Sequence, residues 1–327
     1  MENYACRVPR RPSILLIGAI AAIAIAAIPT AALFAQNASA PFTVVESGRG
    51  YGSLQDAVDA IGAGSGTIAI APGTYKQCAV QEAGNITYLA SQPGTAVLSG
   101  KACEDKAALV LGGQSARVAG LVFRDIAVPD HNGAGIRLEG GNLTVAQSWF
   151  LDSQQGILTG DDPNGTIVID KSTFSGLGNC DDDAGCAHSV YVGEYGHLRV
   201  TRTRFERGTG GHYLKSRAAR IEVASCDFDD SAGHATNYMI DLPNGATGQI
   251  TNNWFVQGRD KENYSAFIAV SAENQGNPSG GLLVAGNDAR FVPGLTRSSA
   301  FVADWSGDPI TVKDNKLGDG IKPFEKR

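Results

Sequence analysis

The chain has 327 residues, of which 27 are basic and 33 acidic, giving a net charge of −6. A protein this acidic is poorly suited to a polyphosphate partner, so the balance argues against nucleic acid. The 41 glycines and the scarcity of long helical patterns suggest two domains or one elongated, repetitive one.

Residues 1–40 differ from the rest. Arg7, Arg10 and Arg11 precede an almost uncharged apolar run from Ile14 to Phe34, and the chain turns polar at Gln36 and Asn37. That is the order of a secretory signal peptide. Ala38-Ser39-Ala40 favours removal after Ala40, although Pro41 is a poor first residue and cutting after Ala35 is the other choice. The run also matches the roughly 20 residues of a membrane-spanning helix, so an uncleaved N-terminal membrane anchor is the competing reading. Either way residues 41–327 are expected outside the cytoplasm, periplasmic or secreted, as a single domain. It would touch a membrane only through that segment. Residues 1–40 hold three arginines and Glu2, so the remainder carries 24 basic and 32 acidic residues, a net charge of −8.

The first predicted element is a helix over 54–61. Ser53 is placed to cap it, and Leu54, Ala57, Val58 and Ile61 fall on one face. A strand and turn follow over 66–75. Such a helix can cover the open end of stacked strands, which would otherwise invite aggregation. Two cysteine pairs suit disulfides in an oxidising compartment: Cys78 with Cys103, 25 residues apart, and Cys180 with Cys186, which bracket a short acidic loop. There is no CxxC to suggest zinc. Cys226 lies in an apolar strand pattern and reads as a buried free thiol.

From residue 120 onward one pattern recurs. An apolar-x-apolar strand is followed, seven positions after its first residue, by an aromatic or apolar residue: Leu143/Val145/Phe150, Ile167/Ile169/Phe174, Leu198/Val200/Phe205, Ile221/Val223/Phe228, Leu282/Val284/Ala289 and Ile310/Val312/Leu317, with weaker copies ending at Phe123 and Phe255. The end positions are 27, 24, 31, 23, 27, 34 and 28 residues apart, as in coils that share a core but differ in their loops. Period-2 alternation means β-strand, and a single coil cannot bury its apolar side, so the copies must stack. Ala146-Gln147-Ser148, Asp170-Lys171-Ser172 and Thr251-Asn252-Asn253 supply the tight corners.

The segment SLQDAVDAI followed by TIAIAPGTY, with the coils after Leu109, resembles the pectin-lyase-like right-handed parallel β-helix proteins over nearly all of residues 41–327. The resemblance implies an all-β, right-handed parallel β-helix with a short N-terminal capping helix. It is specific for fold and weak for activity, since that family holds lyases, hydrolases, epimerases, esterases and surface proteins.

A second strand column aligns on Ile136, Ile157, Val190, Leu214, Met239 and Phe267 as inward residues. Alternation then turns Arg137, Leu158, Tyr191, Lys215 and Ile240 outward, with Tyr213 and Tyr238 just before the column and Arg217 further along. His188, His212 and Asn237 lie two before it and face out only if a corner falls there. Tyr191 and Lys215 become vertical neighbours, and His188 and His212 are one coil apart, making a polar site of two histidines, two tyrosines and two cations. His131, His197 and His234 read as surface or turn residues. Seven cations, Arg199, Arg202, Arg204, Arg207, Lys215, Arg217 and Arg220, fall in one stretch with only Glu206 against them, which suggests an anionic ligand.

An acidic polysaccharide or oligosaccharide would fit a long groove of this kind. Cleaving a uronate polymer by β-elimination needs a neutralised carboxylate, a base for the carbon-5 proton and an acid for the leaving oxygen. Arg217 and Arg137 are candidates for the first, Lys215 or His212 for the second, and Tyr191 or Tyr213 for the third, with Tyr213, Arg137, Tyr238 and Asn237 as substrate contacts. An epimerase could use the same groups. Hydrolysis ranks lower because Asp241 falls one position off the outward column. The non-enzymatic alternative is a glycan-binding or envelope solenoid. The residues single out no particular cofactor; the family resemblance implies calcium as an option, with Asp161, Asp162, Asp181 and Asp183 as candidate ligands.

Overall fold

The computed structural model describes residues 40–180 and 185–327; the expected signal or anchor segment and the acidic residues Asp181 and Asp183 lie outside them. The chain winds into a parallel β-solenoid of about nine turns. Three sheets form its walls, of twelve, ten and ten strands, and within each sheet strands from successive coils are neighbours. The all-β fold and the parallel stacking follow the expectation. A hairpin from Phe42–Val44 and Arg49–Tyr51, which the sequence pattern did not suggest, closes the N-terminal edge of the first sheet by antiparallel pairing onto Ser65–Ile70.

The helix spans Leu54–Ile61; Ser53 caps it by accepting from the Asp56 backbone N–H at 3.4 Å, and Leu54, Ala57 and Val58 are buried in the main core. The repeat landmarks stack in register. Phe123, Phe150, Phe174, Phe205, Phe228 and Phe255 form a ladder whose ring centroids are 4.7–5.0 Å apart and whose planes lie within 1–10° of parallel. That spacing is the strand separation of a sheet, so identical side chains on successive coils stack without strain.

Each corner between the first and second sheets is a two-residue turn in the seven coils from Ala146 onward. Its first residue takes a positive φ, as at Gln147, Lys171, Arg202, Ser225, Asn252 and Asp314. Left-handed backbone is costly for most side chains, so one per coil persists only because stacking over-determines it. The next residue faces inward and builds a polar ladder. Ser148, Cys226, Asn253 and Asn287 donate their backbone N–H to the side-chain oxygen of Ser172, Asn253, Asn287 and Asn315 respectively, at 2.9–3.3 Å. These are the buried donors a bend in a strand would otherwise leave unpaired.

Both expected disulfides are present, Cys78–Cys103 and Cys180–Cys186, and Cys226 is a buried free thiol. Cys78–Cys103 ties two coils together beside the capped end. Closing its 25-residue loop removes unfolded-state entropy worth about 3 kcal/mol, so Cys78→Ser/Cys103→Ser should lower the urea midpoint, with a somewhat steeper slope as the freed unfolded chain exposes more surface.

Candidate functional site

The site lies on the third sheet, whose strands Ala134–Leu138, Gln155–Thr159, Val190–Val192, Leu214–Ser216, Ile240–Leu242 and Ala266–Val270 pair in that order. Ile157, Val190, Leu214, Ile240 and Ile268 align along it. This corrects the column read from the sequence, which used Met239 and Phe267. In Met239-Ile240 and Phe267-Ile268 both residues are apolar and fully buried, so alternation had no contrast from which to fix the phase. The one-residue shift turns Ile240 inward and brings Asp241 into the outward column directly beside Lys215.

Tyr191 and Lys215 are register neighbours, as expected. The Lys215 ammonium lies 5.6 Å from the Tyr191 ring centre and 3.6 Å from Asp241 Oδ2. Arg217 donates from Nε to the Tyr191 oxygen at 3.0 Å and from a terminal nitrogen to Asn244 Oδ1. Glu273, on the loop after Ala266–Val270, completes the cluster: one carboxylate oxygen lies 2.6 Å from Lys215 Nζ and the other 2.6 Å from the second terminal nitrogen of Arg217. Burial raises the Asp241 carboxyl to about 6, with Lys215 working against the rise. Burial also opposes ionisation of Glu273, but hydrogen bonds from Lys215 and Arg217 outweigh it and hold that carboxyl below its usual range. A cleft of about 450 Å³ opens over this face, bordered by Arg137, Asp161, Tyr191, Glu194, Arg217 and Asn244.

His188 and His212 sit beneath the cluster at the corner entering the sheet, with rings 4.9 Å apart and the His212 backbone N–H donating to His188 Nδ1 at 3.0 Å. His212 Nε2 is 3.4 Å from Asp241 Oδ2. Burial, then Lys215, lowers His188 to about 3; burial and the His188 ring push His212 well below its usual value. Unfolded histidine takes a proton near 6.5, so the stability tied to both neutral rings is intact above that pH and lost as pH falls toward 3. Asp241 has the opposite sign between 3.8 and about 6, where the folded chain holds the extra proton, and offsets part of the loss. The melting temperature should therefore drop between pH 7 and 4.5. His188→Asn, whose amide oxygen can still accept the His212 N–H, should make that drop shallower.

Other expected contacts are placed elsewhere. Tyr213, read as an outward group, is buried with its hydroxyl donating to Asp230 at 2.8 Å, because it lies in the corner before the strand where alternation no longer applies. Tyr238 stacks on His212 at 5.6 Å, and Asn237 donates to Glu262; neither borders the cleft. Arg137 borders it but is paired with Glu139 at 3.2 Å. The cationic stretch is dispersed over different walls: Arg199 pairs with Glu222, Arg202 with Asp170, Arg204 with Asp229 and Arg207 with Asp152. Lys215 and Arg217 alone of the seven belong to the cluster, and acids balance them, so the cleft carries mixed charge.

Of the remaining histidines, His131 occupies a left-handed turn, His234 is exposed beside Asp260, and His197 is half-buried on the first sheet. Asp161 and Asp162 accept backbone N–H groups of Glu194, Gly141 and Asn164, and among the described residues no three potential metal ligands converge. Glu273 and Asn244 escaped the sequence reading because each lies in a loop outside the repeat, and Glu273 is 58 residues from Lys215. Asp241 could have been found had the strand phase been fixed.

The fold and cleft define a class, the parallel β-solenoids with a polar site on one wall. No family model matches the chain, and no curated protein does. Among solved structures it is similar to Geobacillus virus E2 ORF18, with a TM-score of 0.49 and 12% identity over 83% of this chain and 55% of that one. The chain thus spans about half the length of that protein. It is also similar to the Streptococcus pneumoniae surface protein and adhesin PfbA, with a TM-score of 0.30 and 9% identity over 84% and 94% of the two chains. Identities this low concern the backbone alone.

Proposed function

We propose that the protein is an exported carbohydrate-active enzyme that cleaves an acidic, uronate-containing polysaccharide by β-elimination. The observation that carries this reading is the meeting of Tyr191, Lys215 and Arg217 in one cluster, with Asp241 behind Lys215 and with Tyr191 and Arg217 bordering the cleft beside it. Lys215 and Arg217 receive the substrate carboxylate as a pair of cations, and Arg217 goes on offsetting its charge, which acidifies the neighbouring carbon, once Lys215 has given up its proton. Lys215 passes a proton to Asp241, whose burial makes it a better proton holder than an ordinary aspartate. The free amine then takes the carbon-5 proton, the electron pair forms the double bond to carbon 4, and the bond from carbon 4 to the glycosidic oxygen breaks. Tyr191 accepts the Arg217 Nε–H, so its own hydroxyl proton is free for the departing oxygen. His212, buried and neutral against Asp241, is a positioning residue and not the base. Two disulfides suit an oxidising compartment, and among the described residues no helix is long and apolar enough to cross a membrane.

The test is to screen the purified protein on a panel of uronate polymers for the ultraviolet absorbance of an unsaturated product. The competent Lys215–Asp241 pair holds one proton, so activity should rise with pH through about 6 and this inflection should vanish in Asp241→Asn. A second reading, glycoside hydrolysis, is favoured by the grip of two carboxylates, Asp241 and Glu273, on one lysine with their proton affinities pushed apart. Reducing ends released without the absorbance would select it.

A further inference from the structure

The connection from Ala266–Val270 to Leu283–Ala285 runs over residues 271–282, whereas the other passages from the third sheet to the first take two to six residues. Its root is fixed. Asn277 donates to the Arg217 and Gly245 carbonyls at 3.1 Å each, and the Glu273 and Asn274 backbone N–H groups reach the Pro243 carbonyl. From this pinned start the Glu273 side chain delivers one carboxylate into the cluster. Each Glu273 oxygen takes a separate cation, Lys215 on one side and Arg217 on the other, both at 2.6 Å.

We propose that Lys215 and Arg217 form a seat for a ligand carboxylate, and that Glu273 fills this seat in the resting chain and leaves it when a uronate group binds. The inference rests on the reading above. Three observations support it. The two cations are far less exposed than the acid between them, with side-chain exposures of 11% and 22% against 46%, so the seat is built into the wall and its occupant comes from the solvent side. A ligand carboxylate entering the seat restores the ion pairs that Glu273 gives up, so the exchange leaves neither cation uncompensated. The backbone of Glu273 and Asn274 is anchored to the Pro243 carbonyl and Asn277 holds the loop beyond it, so the Glu273 side chain can swing out while its backbone stays in place. The arrangement also imposes specificity. A neutral sugar cannot replace the lost charge on both cations, whereas a uronate can.

The experiment titrates a trigalacturonate and its methyl ester into the wild-type protein and Glu273→Gln by calorimetry. If the plug is out of the seat about a tenth of the time, the acid trimer should bind Glu273→Gln about tenfold more tightly, with ester binding equal in the two proteins. Acid binding by the wild type that is unchanged or weakened in the variant overturns the seat and leaves the proposed substrate class standing. Acid and ester bound alike by both proteins, or neither bound, overturns the substrate class and the seat with it. Glu273→Ala repeats the comparison without a side chain able to hydrogen-bond the cations, and thermal melts of all three confirm that folded protein is being compared.

Discussion

Lys215→Ala and Tyr191→Phe should each lower formation of unsaturated product by about two to four orders of magnitude, the range for loss of a general base or acid. Tyr191→Phe is the sharper of the two, because it keeps the ring that lies under the Lys215 ammonium and removes only the oxygen that accepts from Arg217. Lys215→Ala in addition leaves Asp241 buried beside His212 without its cation, so its melting temperature has to be measured alongside the rate. Retention of full activity in Tyr191→Phe would sink the assignment of the acid. A loss confined to KM in both variants would make the cleft a binding surface only.

The largest effect on stability is expected from Phe174→Ala. Phe174 is fully buried and stacks on Phe150 at 4.7 Å and on Phe205 at 5.0 Å. Truncating a buried phenylalanine costs about 3–5 kcal/mol, from lost transfer energy and from the void left behind. Here the void interrupts a continuous ladder in which each coil is stabilised mainly by its neighbours. Urea unfolding should show a lower midpoint, and a second transition should appear if the two halves of the solenoid come apart separately. Phe324→Ala, at an exposed position on the last strand, should change little by comparison.

How much of this was legible in the sequence depends on contrast. The first-sheet strands alternate cleanly, as in Leu198/Val200 or Ile221/Val223, and the aromatic landmark after each tight corner fixed their register, so stacking and corner positions could be read. The third sheet offered no such marker. Met239-Ile240 and Phe267-Ile268 are apolar at both positions, and the reading chose the wrong member of each pair. The error hid Asp241 while leaving Tyr191 and Lys215 correctly adjacent, since Val190 and Leu214 have polar neighbours on the outward side. Glu273 could not have been reached by periodicity, because a side chain delivered by a long loop obeys no repeat. The cationic stretch misled for the opposite reason. Residues close in sequence were sent to different walls by the winding that stacks distant ones.

The two-residue corner between the first and second sheets keeps its length through the seven coils from Ala146 onward, while the passages on either side of the third sheet range from two residues to more than ten. One edge of the molecule therefore acts as a binding spine that fixes the pitch, and the freedom to grow is confined to the two borders of the wall that carries the cleft. Lengthening or exchanging those border segments changes the walls and roof of the groove without disturbing the phenylalanine ladder or the asparagine column. In such a scaffold the capacity to recognise a new polymer and the capacity to stay folded are set by different parts of the chain, so one can diverge without endangering the other.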